Sequence, residues 1–350
     1  MPPSFDRPIK RILVMKWSAM GDVVIASAGI EDICNAFPDA EVDLNTCPPW
    51  DRLYTNDPRI GRLLSINVRG PSQLIGIIRW LAQVRARHYD LVVDFQTTDR
   101  SRLLLALLWL VGGQIRYRIG NKAAFPYNLR RKMTTGLHAM KVMSETLRAI
   151  GVTPRATRPI LHCHVKHRRK VDDLMGCHGL MPGRFVMFLP GSQAAGYLKR
   201  WGASRFAELG QKLHKEGIEK IAIVGGQDEY EVCQEISQLG ADWAVNLCGQ
   251  TELLDIVALS EQVKFIVGND TGTSHISATS AKPMLIICGP TDPQRVLPAG
   301  SNVDYLQADL PCINCYLKHC SHHSCMELIT PQMVYEKLAA MHALDYAVDD

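Results

Sequence analysis

The chain has 350 residues, 47% hydrophobic and 21% charged. That composition suits a folded globular protein rather than a disordered or collagen-like one, and the length exceeds what a single core usually serves, so two domains are expected. Net charge is +4 but unevenly spread: residues 1–150 carry 21 Lys and Arg against 13 Asp and Glu, whereas residues 151–350 carry 18 against 22, so the basic first half either meets an anionic partner or simply holds its surface charge unevenly.

In chain order, RILVM (11–15) reads as a strand, KWSAMGD as a tight loop and VVIASAGIEDICNAF as a helix, which Pro38 and Asp39 close before the strand EVDLNT. YDLVVDF (89–95) is a buried strand, followed by a helix over TTDRSRLLLALLWLV. The apolar run at 103–113 is about half the ~20 residues a membrane span needs and is expected to be a buried helix. The N-terminus lacks the core and cleavage site of a secretory signal, so the chain is expected in the cytoplasm. Of its eleven cysteines, the seven scattered in apolar settings are expected as reduced thiols.

Between 151 and 182 the alternation breaks into prolines, glycines and the basic run KHRRK. A second series follows: strand RFVMFLP, loop GSQAAGYLKRW, helix ASRFAELGQKLHKEG, strand KIAIVGG, helix DEYEVCQEISQLG, strand WAVNLCG, helix TELLDIVALSEQ, strand KFIVGND, helix TGTSHISATSA, strand PMLIICGP and the closing helix MVYEKLAAMHALDYAV. Alternating strands and helices imply parallel sheets covered on both faces. The expected fold is therefore α/β, two doubly wound Rossmann-like domains facing a central cleft. They are an N-terminal domain over 1–160, a linker over 161–182, a C-terminal domain over 183–332 and a last helix within 333–350. Ligands of such sheets bind beyond the carboxyl ends of the strands.

Five places carry candidate chemistry. Asp270, Thr271, Gly272 and His275 stand at a strand-to-helix junction. There, free backbone N–H groups could take a phosphate and Asp270 a sugar hydroxyl, or else Asp270 and Thr271 are helix caps and His275 a core residue. The loop from Gly191 to Arg200 holds Ser192 and Lys199 after a strand; its cations either neutralise phosphates or form a solvated turn, and it lacks the Walker pattern. Glu229 follows two glycines and could hold ribose hydroxyls, or be a first-turn acid favoured by the helix dipole. Asp22, in the loop after the first strand, could be a general base or a helix cap, with Lys16 beside it to hold it ionised or to bind substrate. Cys312, Cys315, Cys320 and Cys325, with histidines between them, have a spacing that could hold a structural zinc or iron, or are plain thiols in a loop.

Taken together these segments resemble glycosyltransferase family nine, the bacterial lipopolysaccharide heptosyltransferases. The likeness rests on RILVMKWSAMGDVVIASAGIEDICNAFPDAEVD, YDLVVDFQ, LPGSQAAGYLKRWGASRFAELGQKL and, most specifically, VGNDTGTSHISATSAKPMLIICGPTDP. It implies a GT-B fold with the acceptor on the first domain, the nucleotide sugar on the second, and the closing helix crossing back to the first. It implies inverting transfer without a catalytic metal, from ADP-heptose to an anionic lipid-linked inner-core saccharide, at or near the inner face of the inner membrane; no nucleic-acid partner is expected. By the same resemblance Asp22 is the base, Lys199 stabilises the departing diphosphate, Glu229 lies near the nucleoside, and Asp270, Thr271, Gly272 and His275 bind donor. The alternatives are another nucleotide sugar or acceptor, including protein, an epimerase or hydrolase, or a non-catalytic protein that kept the fold.

Overall fold

The structure is a computed structural model, which describes residues 5–66, 73–122, 124–129, 131, 133–192 and 194–345. The chain divides into two compact units, Met1–His162 and Cys163–Asp350. Each is a parallel sheet wrapped by helices.

In the first unit the elements run β1 (Arg11–Met15), α1 (Met20–Ala36), β2 (Glu41–Thr46), β3 (Leu63–Ser65), α2 (Gln73–Arg87), β4 (Leu91–Asp94), α3 (Asp99–Leu110), β5 (Tyr117–Gly120) and α4 (Ala139–Arg148). The strand order is β3-β2-β1-β4-β5, with every pairing parallel. β1 and β4 occupy the middle, which is why both are continuous apolar runs, buried from Ile12 to Met15 and from Leu91 to Asp94. α1 packs beside α4, and α2 beside α3. Right-handed crossovers put these pairs on opposite faces of the sheet.

α3 departs from the buried helix expected for residues 103–113. Leu104, Leu105 and Leu108 are buried, but Leu103, Trp109, Leu110 and Val111 are exposed. A run of leucines longer than one helical face must turn part of itself outward.

The second unit continues with α5 (Val165–His178), β6 (Phe185–Leu189), α6 (Ala203–Lys215), β7 (Lys220–Ile223), α7 (Tyr230–Leu239), β8 (Ala244–Asn246), α8 (Leu253–Gln262), β9 (Ile266–Asn269), α9 (Gly272–Ser277), β10 (Met284–Cys288), α10 (Pro293–Val296), β11 (Val303–Gln307), α11 (Ser324–Glu327) and α12 (Pro331–Ala340). Its six strands lie in the order β11-β10-β9-β6-β7-β8, all parallel. The inner faces meet in a core built on Phe188, Trp201, Phe206, Phe265 and Trp243.

Two boundaries differ from the sequence expectation. Residues 161–182, expected as a linker, contain α5, which packs on α8 through the buried pair His167–Asp255, 2.5 Å apart. Lys166, Arg168 and Arg169 of the basic run supply the outer side of that helix, while His167, Val171 and Met175 are buried. The closing helix, expected to reach back to the first domain, packs on α6. Its Val334 and Leu338 are fully buried in the core of the second unit.

Candidate active site

A doubly wound sheet opens a crevice where neighbouring strands send their chains to opposite faces. In the first unit that switch point lies between β1 and β4; the loop after β1 carries Lys16, and Asp22, expected in that loop, falls in the first turn of α1. Asn45 and Gln96, from the strand ends on either side, hold the loop. Lys16 N–H donates to the Asn45 carbonyl at 2.9 Å. Trp17 and Ser18 N–H both donate to Gln96 Oε1, at 2.9 and 3.2 Å. The Trp17 and Trp80 indole N–H groups share Asn45 Oδ1, at 2.8 and 3.0 Å.

Gln96 is itself set by Asp94, whose Oδ1 accepts from Gln96 and Thr97 N–H at 2.8 and 2.9 Å. Asp94 Oδ2 accepts from Tyr127 Oη at 2.6 Å. Full burial pushes the Asp94 carboxyl above its ordinary value, against the pull of these donors.

On this frame Asp22 sits in the first turn of α1, whose N-cap, Ala19, has no side-chain bond. Asp22 is therefore not a cap. Its side chain is 43% exposed and lies 3.0 Å from Nζ of Lys16, which is only 6% exposed. A nearly buried cation orients a carboxylate that solvent and solutes can reach.

The switch point of the second unit lies between β6 and β9, and the expected donor residues collect there. Asp270, just beyond β9, is 5% exposed. Its Oδ2 takes the Lys199 ammonium at 2.6 Å and the Thr291 hydroxyl, donated from beyond β10, at 2.9 Å. Asn269 Nδ2 donates to the carbonyls of Pro190 and Gly191, at 2.6 and 3.3 Å, tying the two strand ends together. Ser192 donates its hydroxyl to the Gly196 carbonyl at 2.8 Å, and Arg200 Nη2 donates to the Ser192 carbonyl at 2.8 Å. Gln193, within the same loop, lies outside the described residues. Thr271 is the N-cap of α9 by position but forms no side-chain cap bond, so the cap reading has no bond behind it. Gly272 opens the helix and His275 is buried within it.

Glu229 is buried and accepts the Gly226 N–H at 2.7 Å. Burial pushes its carboxyl up, more than that hydrogen bond pulls it down. Its carboxylate lies against the backbone of Gly191: a Cβ there would come within 1.9 Å of Glu229 Oε1. Gly191 is thus required by close approach. Gly191→Ala is expected to cost about 1–3 kcal/mol, read by thermal or urea unfolding. Adding Glu229→Ala to it should restore most of the stability. A double variant as unstable as Gly191→Ala would show that the collision is not the cause.

The cysteine spacing suggests a metal site, and the structure lends that expectation no support, although Cys312, Cys315 and Cys320 lie near enough to Cys325 to help raise its thiol. Among the described residues no group of three or more His, Cys, Asp or Glu is placed to hold a metal. Cys312 and Cys315 are exposed, Cys325 packs against the core, and the Cys320 sulfur accepts the His323 N–H at 3.4 Å. Two of the intervening histidines meet the loop at 191–200. His323 Nε2 is 2.7 Å from the Leu198 carbonyl, and His319 Nδ1 is 3.4 Å from Tyr197 Oη. Asn45, Gln96, Asn269 and Thr291 are positioning residues that sequence reasoning missed, since each acts through a partner distant in sequence.

Among known proteins, the family described as glycosyltransferase family 9 (heptosyltransferase) matches residues 77–326. Lipopolysaccharide heptosyltransferase 2 of Salmonella typhimurium is 26% identical, over 95% of this chain and 98% of that protein. The glycosyl transferase family 9 structure from Veillonella parvula superimposes with a TM-score of 0.82 at 20% identity, covering 98% of this chain and 99% of that one. E. coli heptosyltransferase WaaC, solved with ADP-2-deoxy-2-fluoro heptose, gives a TM-score of 0.72 at 20% identity, over 94% and 99% of the two chains.

Proposed function

Since this chain belongs to glycosyltransferase family 9, a family of GT-B enzymes, we propose that it transfers heptose from ADP-heptose to an anionic, lipid-linked inner-core saccharide with inversion at the anomeric carbon. The observation that carries the reading is Asp22, a solvent-reachable carboxylate oriented by a nearly buried lysine at the switch point of the first unit. Its relatives' names supply the sugar and the acceptor class.

The chemistry needs a base and a stabilised leaving group. Asp22 takes the proton from an acceptor hydroxyl, and that oxygen attacks the anomeric carbon on the face opposite ADP. The bond from that carbon to the β-phosphate oxygen breaks, and ADP leaves with the electron pair. Lys199 neutralises the growing charge on the diphosphate, exchanging part of its contact with Asp270 for the phosphate. The first turn of α9, with Gly272 for close approach, offers N–H donors to the same group. Glu229 holds nucleoside hydroxyls, as acids after the second strand of such sheets do. Lys16 keeps Asp22 in place and lies within reach of substrate.

A lipid-linked acceptor puts the work at a bilayer surface, and the basic first half suits an anionic one. No helix among the described residues is long and apolar enough to cross a membrane.

The test is ADP release from ADP-heptose with and without a lipid A–core acceptor. Release that depends on acceptor is expected. Equal release without it would make the protein a hydrolase, and isomerised donor without ADP release an epimerase.

A further inference from the structure

The layer formed by α2 and α3 exposes more apolar surface than a covered helix pair needs to. On α2, Leu74, Ile75 and Ile78 point outward, Leu74 with 74% of its surface exposed. On α3, Leu103 and Leu110 do the same, Leu110 at 70%. Trp109 is also exposed and meets Phe125 edge-on, ring centroids 5.6 Å apart. Single exposed apolar residues are normal, but a set shared by two adjoining helices marks an interaction surface. The inward sides of the same helices are fully used: Trp80 and Val84 of α2, with Leu104, Leu105 and Leu108 of α3, pack on the sheet.

Cations outnumber acids along these helices, although Arg87 at the end of α2 is paired with Glu41 and Asp43. Residues 73–148 hold 13 Lys and Arg against 4 Asp and Glu. Arg79, Arg85 and Arg100 are exposed. Of the four acids, Asp94 is buried, Asp90 accepts the Lys10 and Arg11 N–H groups, and Asp99 is paired with both Arg102 and Lys122. Only Glu145, on α4 and so on the opposite face of the sheet, lies outside this account, and Arg148 pairs with it.

We propose that the outer face of α2 and α3 lies flat on an anionic phospholipid surface, with Leu74, Ile78 and Leu110 entering the headgroup region and Arg79, Arg85 and Arg100 meeting lipid phosphates. Large apolar side chains flanked by cations, with an aromatic pair at the edge, are what an interfacial helix uses. A second copy of the chain fits worse, since pairing this face with itself sets arginine against arginine. The inference rests on the proposed lipid-linked acceptor only for its biological sense; vesicle binding itself does not require turnover.

Sedimentation of the full chain with vesicles tests it. Vesicles of phosphatidylcholine with phosphatidylglycerol should carry the protein down, phosphatidylcholine alone far less, and added salt should weaken the binding. Leu74→Ser/Ile78→Ser/Leu110→Ser should bind the anionic vesicles about tenfold or more weakly, and Arg79→Glu/Arg85→Glu similarly. Both variants change exposed side chains and should keep wild-type turnover of a water-soluble acceptor saccharide, which certifies the fold and the site. Wild-type vesicle binding by both variants overturns the proposal. So does a wild-type dimer in analytical ultracentrifugation that the triple variant abolishes, which would assign the face to a second copy. Wild type that binds vesicles but turns over no ADP-heptose overturns the proposed function and leaves this surface standing.

Discussion

Asp22→Ala is expected to lower turnover by about 10²–10⁴-fold while ADP binds as it does to the wild type. The variant removes the one group assigned to accept the acceptor's proton, and it leaves the donor residues of the second unit untouched. The surrounding frame should survive. Lys16, Trp17 and Ser18 are held through their backbone N–H groups by Asn45 and Gln96, not by the Asp22 carboxylate. Asp22→Asn keeps the shape and loses the basicity, so it should fall nearly as far as alanine. Pre-steady-state ADP release and calorimetric ADP titration separate the two effects. Wild-type turnover in either variant would remove Asp22 from the mechanism.

Lys199→Ala should have the second largest effect, and a different signature. Loss of a cation aimed at a leaving diphosphate lowers kcat/KM for ADP-heptose by about 10²–10³-fold. It also leaves Asp270 in its buried position with the Thr291 hydroxyl as its remaining described partner, so ADP affinity and thermal stability should fall together, unlike in the Asp22 variants. Lys199→Arg keeps the charge and should recover part of both. A drop in melting temperature with kcat/KM unchanged would reduce Lys199 to a partner of Asp270.

The central strands were legible in the sequence because a strand covered on both faces is written as a continuous apolar run. RILVM, FVMFL and MLIIC are the plainest. The strands that the sequence reading did not name, β3, β5 and β11, all lie at sheet edges. Edge strands are short and less covered, and in β11 every residue is only partly buried, so no apolar run announces them. α2 escaped notice for the opposite reason: its outward leucine and isoleucines spoil the periodicity that marks a helix with one buried face. α5 hid behind its basic outer side.

At the site the legible part was the stretch that leads from a strand into the next helix. Lys199, Glu229 and Asp270 fall there and Asp22 just inside the first turn of α1, and the family resemblance supplied their expected roles. Their supports were not legible. Trp17 depends on Gln96, 79 positions away, and Asp270 on Thr291, 21 positions away; no local pattern encodes such a pairing.

The amide of Asn45 has a further consequence. It receives two indoles at once, Trp17 from the loop that leads to Asp22 and Trp80 from α2. Indole emission responds to its hydrogen-bond acceptor, so these two of the chain's six tryptophans are intrinsic optical reporters of the β1 loop, and the proposed acceptor, reacting at Asp22, is expected to change their emission with no label attached.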